Sequence, residues 1–159
     1  MAFLIAVLLA VLGGNHDTAP TLAPACAHRA RAAIGATEAD PFSASNGADA
    51  CRLRAPGREA VVLLDSAPQA YTRMEREQVE FWQNVEWSHK AARAAPRPMT
   101  SLGLGGYWFP LQSRLLTTDG VRLITIKVRA PSASPAARKA KAVELAQVYL
   151  GPLQKPAGY

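Results

Sequence analysis

Apolar and polar residues alternate in the C-terminal half of the chain, and such alternation is typical of a strand with one buried face. Ile124, Ile126 and Val128 are each separated by one polar residue. The pair Asp119-Gly120 lies just before them and is a strong signal for a two-residue hairpin turn. We therefore predict a hairpin formed by the segments 113–118 and 121–129.

A second hairpin is indicated nearer the N-terminus. The segment 59–65 is centred on an unbroken run of valine and leucine, and it follows the shorter apolar segment 51–54. Proline and glycine at 56–57 supply the turn between them. The preceding segment, 37–49, contains the turn-forming pairs Asp40-Pro41 and Asn46-Gly47, and we expect a loop there.

Three further segments have helical character. The first covers 24–34 and is followed by Gly35, a residue suited to end a helix. The second runs from Ser66 and Pro68 to about residue 84. The third begins at 134–135 and ends at 151–152, with an apolar stripe of four residues. These four are Ala142, Leu145, Ala146 and Tyr149.

The order helix, hairpin, helix, hairpin, helix predicts an α+β fold. We expect an antiparallel sheet of two hairpins with helices packed on one face, and one disulfide. The chain divides into a signal-peptide-like apolar leader (1–14), a tether (15–24), a single α+β domain (25–153) and a tail (154–159).

The leader indicates export. Residues 1–12 are uncharged and apolar, too few for a bilayer span of about 20 residues but long enough for the core of a signal peptide. The basic segment that usually precedes such a core is missing, and a buried helix of the mature fold is the alternative. A lipid-attachment site at Cys26 is rejected because Leu22 lies one position too far upstream. We expect a secreted or extracytoplasmic envelope protein without an integral membrane span in its mature chain.

The two cysteines, Cys26 and Cys51, agree with export, since an oxidising compartment allows a bridge and an even number leaves no thiol over. We expect them to form a disulfide. Two unrelated buried thiols are the alternative.

The net charge of +6 comes from basic residues scattered along the chain and mixed with acidic ones. Nucleic-acid binding requires a basic stripe interleaved with aromatics, so we expect no nucleic-acid partner. Scattered positive charge is typical of a solvated surface with a mild attraction to anionic material, and we expect peripheral contact with an anionic envelope.

No catalytic, metal or cofactor motif stands out. The hydrolase pattern Gly-x-Ser-x-Gly is absent. His28 lies beside Cys26, which a bridge would consume, while His16 falls in the tether and His89 in a polar loop. We expect no enzyme activity, no cofactor and no metal, with a cryptic hydrolase as an alternative.

The aromatic residues are the better candidates for function. Trp108 occupies the position where Gly-x-Gly-x-x-Gly needs its last glycine, so the glycines at 103–106 favour a tight bend into a strand over a phosphate loop. Our candidate ligand-binding residues are Trp87, Tyr107 and Trp108, because loops and glycine bends often leave a ring accessible. Burial of these rings in the core is the alternative.

The leader, a cysteine in the first helix, Cys-Arg opening the first strand, Leu-Gly-Leu-Gly-Gly-Tyr-Trp at 102–108, the Asp-Gly hairpin and the closing alanine-rich helix form a set. This set resembles a family of small actinobacterial secreted proteins and lipoproteins of unknown function, related to the extracellular sensor domains of mycobacterial serine/threonine kinases. The resemblance implies a family disulfide at Cys26 and Cys51 and no enzymatic activity.

We therefore expect an exported, non-catalytic binding or sensor-like module of the cell envelope, whose partner is an unidentified envelope ligand or protein. A structural or interaction protein of the envelope is a further alternative.

Overall fold

A computed structural model describes residues 24–66, 69–84 and 94–150. The predicted leader, all but the last residue of the tether and the predicted tail lie outside the described residues. Within the described residues, no helix combines the length and the apolar character that a membrane span requires.

The elements confirm the predicted α+β class. The helices are a short 3-10 helix at Pro24–Cys26, α1 at His28–Ile34, α2 at Ala70–Asn84 and α3 at Pro135–Tyr149. The strands are β1 (Glu38–Ser43), β2 (Asp49–Ala55), β3 (Arg58–Ser66), β4 (Arg97–Pro98), β5 (Gly106–Phe109), β6 (Arg114–Thr118) and β7 (Arg122–Arg129).

The seven strands form one antiparallel sheet in the order β1-β2-β3-β7-β6-β5-β4. Both predicted hairpins are present, as β2–β3 and β6–β7. They join through β3 and β7, where Val62 lies opposite Ile126. The hairpins therefore make the centre of the sheet, and the remaining strands extend it on both sides.

Strand β1 corrects the loop that we predicted at 37–49. Glu38–Ser43 pairs with β2, and Pro41 lies opposite Cys51. Proline cannot donate a backbone hydrogen bond, but an edge strand has one side without a partner, so proline is tolerated there. The Asp-Pro pair that indicated a turn is part of an exposed edge strand.

Helices α1 and α3 pack on one face of the sheet, as predicted. Ile124, Ile126 and Val128 point to this face and are buried, which confirms their predicted alternation. The four residues of the predicted stripe on α3 are also buried. Together with α1 they form the larger part of the core.

Helix α2 packs on the opposite face and does not share the face of the other two. Leu115 and Leu116 are adjacent in β6, so their side chains point to opposite faces. Leu115 joins the core under α1 and α3, whereas Leu116 packs with Ala70 and Met74 of α2. Because β5, β6 and β7 carry apolar residues on both faces, one layer of helices cannot cover them.

The segment Pro24–Cys26 is fixed inside the larger core. The predicted bridge between Cys26 and Cys51 is present, and both residues are fully buried. The backbone N–H of Ala25 donates to Asp49 Oδ2 at 2.8 Å, and the hydroxyl of Tyr149 donates to the Ala25 carbonyl at 2.6 Å. The first described residues are thus tied both to β2 and to α3.

Removal of the bridge tests its contribution to stability. Cys26 and Cys51 are 25 residues apart, and closing a loop of that length stabilises a fold by about 3–4 kcal/mol on the chain-entropy model. We expect dithiothreitol to lower the free energy of unfolding by about this amount, measured by denaturant titration with circular dichroism. The double variant Cys26→Ala, Cys51→Ala is the control, because its midpoint should not respond to reductant; equal midpoints for the oxidised and reduced wild-type protein would contradict the prediction.

Candidate functional site

The structure describes two of the three residues that we predicted to bind a ligand and places them on opposite faces of the sheet. Trp87 lies outside the described residues. Trp108 is 2% exposed and packs in the core under α1 and α3, so its ring is not offered at the surface. Tyr107, its neighbour in β5, points to the opposite face and is half-buried beside α2. Of the three, Tyr107 alone is described with part of its side chain at the surface.

Glycine determines how the chain enters β5. Gly103 has φ +59°, and a Cβ there would lie 2.4 Å from the carbonyl oxygen of Thr118. At Gly106 a Cβ would lie 2.5 Å from the carbonyl oxygen of Leu116. These separations exclude any side chain unless the backbone moves. The interpretation of the glycines as a tight bend into a strand is confirmed.

A buried threonine holds this bend against the sheet. The hydroxyl of Thr117 donates to the carbonyl of Gly105 at 2.8 Å and lies 3.2 Å from that of Leu102. The backbone N–H of Leu104 donates to the Thr118 carbonyl at 2.9 Å. A buried hydroxyl usually needs such a partner, and here the bond also fixes the loop. The residues that precede Tyr107 therefore have a defined position.

An open groove of about 210 Å³ lies between this loop and α2. Its walls come from α2, from the segment after β4 and from the start of β5. The lining residues that bear on its chemistry are Tyr71, Met74, Glu75, Met99, Gly106 and Tyr107. We call it the Tyr107–Glu75 groove.

The polar centre of the groove is a hydrogen bond across the two elements. The Tyr107 hydroxyl lies 3.1 Å from Glu75 Oε1 and 3.0 Å from Oε2, and it donates its one proton to the carboxylate. Both side chains are half-buried. A carboxylate has about four acceptor positions, so the bond leaves capacity for a further donor.

The environment keeps Tyr107 in its neutral form. Burial raises the pKa of Tyr107 to about 12, and the hydrogen bond to Glu75 and the charge of that carboxylate act in the same direction. A phenol with this pKa is a hydrogen-bond donor near neutral pH and does not serve as a base. The groove therefore combines a carboxylate that Tyr107 holds in place, with capacity to accept a further hydrogen bond, and aromatic rings, an arrangement suited to holding a ligand.

Glu75 is the groove residue that the sequence did not identify, because it is one of three glutamates close together on α2, at 75, 77 and 80, which is typical of a helix face in contact with water. In the structure two of these glutamates have different partners. Glu75 accepts a hydrogen bond from Tyr107, and Glu77 accepts one from Arg114 Nη1 at 2.7 Å. No local signal separates the two residues. Only the packing of α2 across β5 and β6 reveals their different partners.

The other groups considered for chemistry are apart from the groove. His28 is exposed on α1, on the other side of the sheet, and His16 and His89 lie outside the described residues. Among the residues that the structure describes, no three histidine, cysteine, aspartate or glutamate side chains are grouped so as to hold a metal ion.

The fold and the groove define a disulfide-linked α+β protein with a seven-stranded antiparallel sheet. Comparison of the chain with protein-family models, with curated proteins and with solved structures finds no match.

The raised pKa of Tyr107 predicts a dependence of stability on alkaline pH. An unfolded tyrosine ionises near pH 10, whereas Tyr107 holds its proton to about pH 12 in the folded state. Its contribution is therefore fully present below about pH 10 and is lost as the pH rises towards 12. We expect the free energy of unfolding of the wild type to fall relative to that of Tyr107→Phe above pH 10, measured by urea titrations between about pH 8 and 11.

Tyr149→Phe is the matched comparison, because burial also raises the pKa of Tyr149 but this residue lies in the core beneath α3. The Tyr149→Phe variant should lose the pH dependence of stability that Tyr149 causes and keep the part that Tyr107 causes. In Glu75→Gln, the loss of the neighbouring charge should shift the ionisation of Tyr107, followed by absorbance at 295 nm, to lower pH. Parallel stability curves for the wild type and Tyr107→Phe would show that Tyr107 ionises equally in both states.

Proposed function

We propose that this chain is an exported, non-catalytic binding module of the cell envelope, and that it holds a small ligand in the Tyr107–Glu75 groove. The observation that carries the proposal is the half-buried carboxylate of Glu75, oriented by Tyr107 and still able to accept a hydrogen bond. A rigid strand and a helix position the two groups, which reduces the ordering cost of binding.

The groove favours a small cationic ligand such as a primary amine. Glu75 supplies negative charge, and an ammonium group supplies the hydrogen-bond donors that a carboxylate needs. Tyr71, which is 37% exposed, and Tyr107 add aromatic rings that attract cations. The volume of about 210 Å³ suits a ligand of a few heavy atoms.

The Cys26–Cys51 disulfide supports the exported part of the proposal. Disulfides persist in secreted and envelope proteins and are rare in reducing compartments. The apolar residues 1–12 and the resemblance to actinobacterial secreted proteins and extracellular sensor domains point the same way.

Ligand binding can be tested by titrating the ¹⁵N-labelled protein with small primary amines and with neutral and anionic analogues of the same size. We expect the amines to shift the backbone resonances of Gly105, Gly106 and Tyr107. A hydrogen bond to a charged group contributes about 1.5–3 kcal/mol, so Glu75→Gln should weaken binding by about tenfold or more.

Glu77→Gln is the matched control, since it removes a carboxylate two residues further along α2 that binds Arg114 and does not line the groove. It should bind the amines as the wild type does. Tyr107→Phe should weaken binding less than Glu75→Gln, because it leaves the carboxylate in place. Equal affinity for amines and their neutral analogues, or wild-type binding by Glu75→Gln, would contradict the proposed site.

Export can be tested by mass spectrometry of the native protein from its own cells. We expect a mature chain without residues 1–14, in which the peptides containing Cys26 and Cys51 are joined. Two free thiols on a chain that retains the apolar leader would refute export and leave the amine-binding test unaffected.

A further inference from the structure

Several connections meet at one end of the sheet, beyond the C-terminal end of β5. They are the β2–β3 turn, the β5–β6 turn and the link from β7 into α3. Basic side chains from these connections and from the elements beside them surround this end, which we call the basic end. They are Arg58, Lys127, Arg129, Arg138 and Lys141.

The five cations line two adjoining open cavities of about 260 and 380 Å³, which share Val128, Ala130 and Arg138. Among the described residues, no carboxylate lines either cavity. Elsewhere on the sheet the charges are balanced: Arg54, for example, contacts Glu38 and Asp40. The basic end therefore concentrates positive charge, of which the described neighbours neutralise only that of Lys141, through its ion pair with Glu144.

Three of these cations make no hydrogen bond or ion pair within the part of the chain that the structure describes. They are Arg58, Lys127 and Arg129. The other two are used partly within the fold, since Arg138 Nη1 donates to the Ala133 carbonyl at 3.2 Å and Lys141 pairs with Glu144. Arg58 points to the face that α1 and α3 cover, and Lys127 and Arg129 point to the opposite face, so these cations meet only at the end of the sheet. Uncompensated cations grouped at one end produce a positive potential there that attracts anions.

An exposed leucine lies among these cations. Leu111, in the β5–β6 turn, is 74% exposed, the highest value for a large apolar side chain in the described residues. It lines the same cavity as Lys127 and Arg129. The turn is held in place because the backbone N–H of Val128 donates to the Ser113 carbonyl at 3.0 Å. An exposed apolar side chain on an anchored turn is thus presented beside three cations that line the same cavity, Lys127, Arg129 and Arg138.

We propose that the basic end binds the surface of a membrane that contains anionic phospholipids, with Leu111 inserted among the lipid chains. Lysine and arginine near such a surface attract its phosphate groups, and an apolar side chain gains by leaving water. Charge complementarity accounts for the cations, and a lipid surface is the anionic partner that also accommodates Leu111. The open form of both cavities suits a broad surface better than a single enclosed anion.

The proposal does not rest on the function assigned to the Tyr107–Glu75 groove. The groove lies at the start of β5 beside Gly106, whereas Leu111 follows the end of the same strand. Lipid binding can therefore fail while amine binding succeeds, or the reverse.

Co-sedimentation of the purified protein with vesicles tests the proposal. We expect binding to vesicles of phosphatidylcholine mixed with phosphatidylglycerol and little binding to phosphatidylcholine alone. Binding should weaken as salt is added, because exposed charges are screened over about 10 Å at 0.1 M ionic strength.

Variants at the basic end identify the groups responsible. Each cation near an anionic surface contributes about fivefold to binding, so Lys127→Gln with Arg129→Gln should weaken it about 25-fold. Leu111→Ser should weaken it about tenfold, through loss of apolar burial. These side chains lie outside the buried core, and circular dichroism can confirm that the variants fold.

Matched controls lie elsewhere on the surface. Val121→Ser replaces an exposed apolar residue at the opposite end of β6, and Arg76→Gln replaces an exposed cation on α2. Both should bind the anionic vesicles as the wild type does.

Equal binding to the two kinds of vesicle, or wild-type binding by the Lys127/Arg129 double variant, would overturn the proposal. Binding of inorganic phosphate or an oligonucleotide without vesicle binding would overturn it in favour of a soluble anion. Concentration-dependent self-association that protects Leu111, without vesicle binding, would assign the surface to a second copy of the chain.

Discussion

The fixing of residues 24–26 inside the core is the constraint on which the larger face of the fold depends. Cys26 is bonded to β2 and Ala25 is hydrogen-bonded to Tyr149 of α3, so one short segment connects the sheet to both of its helices on that face. Five of the nineteen buried residues of this core are alanine, which gains little free energy from burial, and four of the five lie in the segment 24–26, α1 and α3. The disulfide between Cys26 and Cys51 therefore supplies part of the stability that larger apolar side chains would supply in another protein.

Elements specified by local signals were predictable from the sequence. The β6–β7 hairpin follows from Asp119-Gly120, and the structure shows why aspartate suits the turn: its Oδ1 accepts the backbone N–H of Val121 and of Arg122. The end of α1 follows from Gly35, which adopts the left-handed conformation. In each case the deciding interaction lies within a few residues, so the sequence displays it directly.

Features set by distant contacts were not predictable. Strand β1 forms because the free edge of β2 supplies its hydrogen-bond partners. Pro41 made the segment look like a loop in the sequence. Which of Tyr107 and Trp108 lines the groove and which is buried in the core depends on the register of β5. A slip of one residue would exchange their two faces. Glu75 joins the site only because α2 crosses β5 and β6 on the face opposite the other helices. The candidate site therefore emerges from packing, although one of its two polar residues was foreseen.

The two proposed binding surfaces lie at opposite ends of β5, and this separation allows them to act independently. Three steps of about 3.3 Å place Gly106 and Phe109 about 10 Å apart, and Leu111 lies two residues beyond Phe109. That distance is comparable to the screening length of about 10 Å at 0.1 M salt, so the charge of a membrane beneath Leu111 is weakened by screening at Glu75. A cationic ligand then meets a carboxylate whose affinity is set by Tyr107 and the surrounding rings. On these two proposals, attachment to the envelope positions the groove above the membrane without altering what the groove selects.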